Sequence, residues 1–288
     1  MSFSFKRGSK LIIDDGTDRY LLKVADFNFS ETFIERGYDV STVHNPVAIN
    51  NKTYVNAKSN CSFDFEMYFS DNITVEKKVL EWYGFDASGN FPAVNGQLTK
   101  KFDVYVDLGA KVVFIDNVVL ENLSFKLNPR GILGMSVTAR GFTSMMDSIV
   151  LPSNGTLYSQ GSFTNAYISA SVPGIDVSRV AGATLELTRD INWLNNQSVH
   201  DAFSGTMFIP EDVVGSNLAV AGNITTIKRG TEEPKYLPDV PVSISLGDYM
   251  TVNLGHCNIT QRADFGSGVL QSVSDFKLLN SVDSQIII

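Results

Sequence analysis

The chain repeats itself. Displaced by 156 residues, Val24-Ala25 falls on Val180-Ala181, Thr32 on Thr188 and Val43-His44 on Val199-His200, with no gap. Displaced by 138, Leu108-Gly109 falls on Leu246-Gly247. A duplication constrains the fold strongly, because each copy must build a core from about half the chain. At 288 residues the default is two domains of roughly 100–150 residues each. We therefore expect a first unit over residues 1–150 and a duplicated second unit over 151–288.

The repeat is written in alternation, the signature of strands whose side chains point to opposite faces. Phe102, Val104, Val106 and Leu108 share one face, and Val240, Val242, Ile244 and Leu246 repeat it. The other face drifts, from Asp103, Tyr105 and Asp107 to Pro241, Ser243 and Ser245. After Gly109 and Gly247, each suited to a hairpin turn, strands resume with Val112 and Phe114 matching Met250 and Val252. Upstream, Ala25, Phe27 and Phe29 match Ala181, Ala183 and Leu185. A further strand alternates Phe63, Phe65, Met67 and Phe69 with Asp64, Glu66 and Tyr68. Its looser counterpart carries Leu218, Val220 and Ile224. The fold class is mainly β.

The two displacements differ because the second copy is shorter in one place. The first copy has a helical pattern over about residues 74–83, with Val75, Val79, Leu80 and Tyr83 on one side and Gly84 placed to end it. The second has Lys228–Asp239 instead, with Pro234 and Pro238, where at most a turn is expected. Both copies keep a long polar stretch after the first repeated strand, near Gly37–Lys58 and Asn192–Gly215. Loops of that length usually carry function. Residues 144–165, rich in Ser, Gly and Asn, include the linker.

Chemistry is not legible. His44 and His200 have no Cys or His at ligand spacing, so no metal site is expected. His256 and Cys257 are adjacent in a strand and point to opposite faces, which argues against a catalytic pair. Asp14-Asp15-Gly16 is a turn without the spaced oxygens of a calcium loop. Asp103 and Asp107 on one strand lie about 13 Å apart at ~3.3 Å rise per residue, too far for an acid–base pair. No catalytic residue and no cofactor is expected. Cys61 and Cys257 are not repeat equivalents and read as separate thiols. The net charge of −8 disfavours nucleic-acid binding, which depends on Lys and Arg neutralising phosphates. Residues 1–10 carry no apolar signal-peptide core, and no apolar run approaches the ~20 residues of a membrane span.

The strand-then-helix run Ser62–Gly84 and the strand–Gly–strand units around Gly109 and Gly247, set in tandem over residues 20–143 and 166–280, resemble the tail-tube proteins of long-tailed bacteriophages. The resemblance implies two tandem tail-tube-like β-sandwich or barrel domains, the first flanked by a short helix. It implies trimeric, pseudo-hexameric rings, stacked into a tube whose β-barrel channel conducts the genome without holding it. Other tail proteins (tape measure, baseplate and terminator) would be partners, and the chain would reside in the virion tail, made in the host cytoplasm. An acidic wall would repel DNA phosphates. Its candidates are the polar strand faces at Asp26, Asn28, Ser30, Asp64, Glu66, Thr184 and Glu186. Candidate ring-to-ring loops lie near Val43, His44 and Tyr54 and near Val199, His200 and Pro210. A tube-like baseplate or tube-initiating ring is a close variant. A carbohydrate-binding adhesion module, with Trp82 and Trp193 as platforms, is the reading from another class.

Overall fold

A computed structural model describes residues 2–4, 10–32, 40–42, 45–49, 59–92, 96–97, 100–108, 112–128, 133–145, 150–163, 167–194, 212–228, 234–264 and 270–288. The first half holds β1 (Ser2–Ser4), β2 (Lys10–Asp14), β3 (Arg19–Leu22), β4 (Val24–Thr32), β5 (Val40–Thr42), β6 (Asn45–Ile49) and β7 (Ser59–Tyr68). It continues with α1 (Thr74–Tyr83), β8 (Gly96–Gln97), β9 (Phe102–Asp107), β10 (Val112–Leu127) and β11 (Gly134–Met145). Then come β12 (Leu157–Ser159), β13 (Ile168–Ser171), β14 (Val180–Leu194), β15 (Asp212–Ile227), β16 (Tyr236–Leu246), β17 (Met250–Asp264), β18 (Gln271–Asn280) and β19 (Gln285–Ile287). The protein is mainly β, and its large sheet does not close into a barrel.

The strand order repeats. In the first half neighbours run β4-β7-β11-β10-β9-β2, each pair antiparallel. In the second they run β14-β15-β18-β17-β16-β13, again antiparallel throughout. Alternation sets the core as the sequence predicts. Phe63, Phe65, Met67, Phe102, Val104 and Val106 are buried in the first half, and Ala183, Leu185, Val220, Ile224, Val242 and Ile244 in the second. All belong to one continuous apolar cluster.

Two details differ from the pattern. Val113 and Ile115, not Val112 and Phe114, face the core of β10, whereas Met250 and Val252 face it in β17. Val106 lies opposite Val113, while Leu246 lies opposite Met250, so the two hairpins differ by one residue and the direct match is out of phase. Gly247 has φ 56° and supplies the turn; Gly109 lies outside the described residues. The proline-rich replacement for the helix also holds more than a turn, because β16 starts at Tyr236 and crosses Pro238 at a register shift. A proline without its N–H is tolerated at such an irregularity.

The helix forms over Thr74–Tyr83 as its periodicity predicts, and Gly84 ends it at φ 112°. Val75, Val79, Leu80 and Tyr83 are buried, and Trp82 packs against Phe102 at 4.7 Å between ring centroids. Glu76 also lies on the buried side. Its Oε1 accepts hydrogen bonds from the Ser70 N–H (2.9 Å), the Ser70 hydroxyl (3.0 Å) and the Gln160 amide (2.9 Å). Gln160 extends the anchor by donating to the Tyr68 carbonyl and accepting from the Lys23 N–H. With Arg19 donating to the Pro152 and Gly155 carbonyls, and β12 parallel to β3, the connecting stretch is fastened along the first half.

Burial pushes the Glu76 carboxyl above its ordinary value of 4.5 despite these donors. Folding then favours the protonated form. The Glu76 contribution is fullest below that ordinary value and is lost as pH rises through the raised one. Glu76→Gln keeps the acceptor and removes the titration. Thermal unfolding between about pH 4 and about pH 7 is expected to show the wild type losing stability relative to this variant as pH rises. Parallel curves would contradict the assignment.

Candidate functional site: a sheet through both halves

β10 is the pivot. One edge pairs with β11 along most of its length; the other is divided. Residues 112–118 of that second edge pair with β9, and Asn122–Leu127 pair with β14 of the second half. Bulges between Asp116 and Val119 and between Leu120 and Asn122 separate the two partners, and Asn117 sits there at φ 50°. Bulges bend a strand and let it serve two layers. The result is a continuous antiparallel sheet of eight strands, β4-β7-β11-β10-β14-β15-β18-β17, that crosses from one half to the other.

Directly opposed residues share a face. One row runs Asp26, Glu66, Ser136, Ser124, Glu186, Ala221, Lys277 and Asn258 across all eight strands. The next carries Asn28, Asp64, Thr138, Asn122 and Thr188. The sequence-predicted residues Asp26, Asn28, Ser30, Asp64, Glu66, Thr184 and Glu186 are thus gathered on one face, all exposed or half-buried. The Asn28 amide donates to Asp64 at 3.1 Å. The opposite face is the apolar core.

The face is not uniformly acidic. Asp26, Asp64, Glu66, Glu186, Asp190, Asp264 and Asp275 share it with Lys126, Arg140, Arg262 and Lys277. Arg262 is bonded to Asp275 at 3.0 Å and Arg140 to Glu121 at 2.9 Å. Acidic residues outnumber basic ones on this face, and two of its cations are held by carboxylates. The candidate loop residues Val43, His44, Tyr54, Val199, His200 and Pro210 lie outside the described residues.

The junction of the halves is held by a residue that the sequence reading passed over. Arg189 of β14 is buried. Its guanidinium donates to the Leu120 carbonyl at 2.9 and 2.6 Å and to the Tyr83 carbonyl at 2.7 Å. It also lies over the Tyr83 ring at 4.3 Å. Tyr83 ends α1, which has no basic residue in its last turn, so Arg189 supplies the cation that suits a helix C-terminus. Burial lowers its pKa; an arginine nonetheless stays charged. A signal was available. Ala183, Leu185, Leu187, Arg189 and Ile191 share one strand face, and an arginine in an apolar register needs a buried partner. Beside it Phe142 packs edge-on against Trp193 at 4.8 Å, and Val119, Ile191 and Val213 form a small apolar cluster.

Other candidates resolve into structure. Trp82 is buried and Trp193 is half-buried against that cluster, so neither is a free glycan platform. Asp14 and Asp15 accept turn hydrogen bonds from Gly16, Thr17 and Asp18, and Asp15 is ion-paired to Lys78 at 3.0 Å. Cys61 and Cys257 are buried and in no disulfide; burial pushes the Cys257 thiol up to about 12. Among the described residues no three metal-ligating side chains come together, and no helix is long and apolar enough to cross a membrane.

A continuous sheet through two halves of repeated strand order, with one polar face, is architecture suited to assembly. Compared with protein-family models, residues 1–288 match the Bacteriophage Baseplate Tube Protein Family. The chain belongs to that family. Among curated proteins none matches it. Membership of the baseplate tube family makes the chain a structural protein of the phage tail, found in the virion and assembling with other tail proteins.

Proposed function

We propose that this baseplate tube protein forms a ring of three chains in which six repeat units, residues 1–150 and 151–288 of each, line a channel that passes the genome. The observation that carries the reading is the eight-stranded sheet, which already joins two repeat units edge to edge within one chain. Head-to-tail contacts of this kind close into rings when the rotation permits, and closure removes exposed strand edges. The polar face then lines the channel, with Asp26, Asn28, Ser30, Asp64, Glu66, Thr184 and Glu186 on it. Its excess of acidic groups, with Arg140 and Arg262 held by carboxylates, suits passage without specific binding, because phosphate affinity depends on Lys and Arg neutralising phosphates. The role is structural and not enzymatic. The family's description favours a baseplate ring over the stacked main tube, with tape measure, terminator and neighbouring baseplate proteins as partners.

Negative-stain microscopy of concentrated protein, alone and with partner tail components, tests this. Rings of three subunits with a central channel are expected, with Asp64→Cys in assembled rings shielded from a bulky thiol reagent. A protein that stays monomeric in every condition would sink the ring. Rapid labelling of assembled Asp64→Cys would sink the placement of the face.

A further inference from the structure

The junction between β10 and β14 is a template for the contact between chains, and the structure holds a strand in the place where that contact would form. In the repeated order β17 stands for β10 and β14 stands for β4. The internal junction pairs Asn122–Leu127 with Ala183–Thr188. Displaced by the repeat, the same contact between two copies joins residues 260–264, at the end of β17, to residues 28–32 of β4. On β4 that edge is covered. β1 lies along it, with Ser2, Phe3 and Ser4 opposite Ser30, Phe29 and Asn28. On β17 the edge is covered as briefly: Tyr236 and Leu237 lie opposite Thr260 and Ile259, and the Gln261 N–H donates to the Lys235 carbonyl at 2.8 Å. Tyr236 is itself exposed.

We propose that β1 is a removable guard: it covers the β4 edge of the free chain and gives way when the end of β17 from a second copy pairs there. The inference rests on the ring reading above and adds a step to it. An uncovered strand edge invites indiscriminate pairing, and short covering strands are one way to blunt it. A cover of only three residues is opposed by a longer lane, as the internal junction illustrates, so exchange favours the assembled state. The exchange involves no covalent change. Main-chain hydrogen bonds from β1 to β4 are replaced by equivalent ones from the second copy.

The test locks the guard. Directly opposed residues on antiparallel strands have Cα atoms about 4.5–5.5 Å apart, within disulfide reach. A variant carrying Ser2→Cys and Ser30→Cys is expected to form an internal disulfide on oxidation. The oxidised form should assemble into rings at least about tenfold more slowly than wild type, and a reductant should restore the rate. Phe3→Pro, which removes a main-chain donor from β1, should accelerate assembly. Failure of the cysteines to join, wild-type assembly by the oxidised form, or slower assembly by Phe3→Pro would each overturn the proposal while leaving the ring intact. Absence of rings from wild type and from the reduced variant would instead sink the ring reading itself.

Discussion

Replacing Arg189 with alanine is expected to lower the unfolding free energy by about 2–4 kcal/mol. The variant leaves the Leu120 and Tyr83 carbonyls buried beside the space that the guanidinium filled. Each unsatisfied group costs about 1–3 kcal/mol, while loss of a buried charge returns part of its desolvation cost. Arg189→Lys should recover only part of the loss. A lysine is a single donor centre at the end of a flexible stem and does not reproduce the planar fork that serves both carbonyls and stacks on Tyr83. The effect should spread across the junction, because Arg189 belongs to the second half and both carbonyls to the first. Urea unfolding of the three proteins measures it. A change within about 0.5 kcal/mol for the alanine variant, the range of an ordinary surface substitution, would show that Arg189 is not the fastener of the junction.

Arg189 also marks where the sequence stopped being legible. The local elements were readable because their causes are local. Val75, Val79, Leu80 and Tyr83 recur at helical spacing, and Phe63, Phe65 and Met67 alternate beside acidic neighbours. The repeat likewise anticipated which strands would correspond. Partnerships between distant strands were not written in the same way. Nothing in the alternation of β10 says that its last six residues leave β9 for β14, since the bulge at Asn117 depends on what the strand must reach. Gln160, which ties the connecting stretch to Glu76, is one polar residue among many in a Ser- and Asn-rich segment. The candidate channel residues came together because all were chosen from polar strand faces, and the sheet made those faces one. Their charge balance emerged only when β11, β10, β18 and β17 brought Arg140, Lys126, Lys277 and Arg262 onto the same surface.

Gly222→Val tests the continuity of that sheet at its most crowded point. Gly222 lies on β15 between Leu185 of β14 and Phe276 of β18. A Cβ built there would fall 2.1 Å from the Thr184 carbonyl oxygen and 2.5 Å from the Phe276 ring. The ring can turn, but the carbonyl is main chain in a paired strand and can move only by opening the ladder. Phe276 is buried over the glycine, filling the volume that a side chain would otherwise take. Valine suits strands by propensity, so the substitution would be neutral or favourable if the site were open. Overpacking predicts the opposite sign, a loss of about 3 kcal/mol or more. Gly222→Ala paired with Phe276→Leu separates the causes. If the ring were the obstacle, the pair would regain most of the stability lost by Gly222→Ala; because the Thr184 carbonyl is the nearer and less mobile neighbour, little recovery is expected. Full recovery in the pair, or a stable Gly222→Val, would mean that the strands of the shared sheet are more loosely laid against one another than their register indicates.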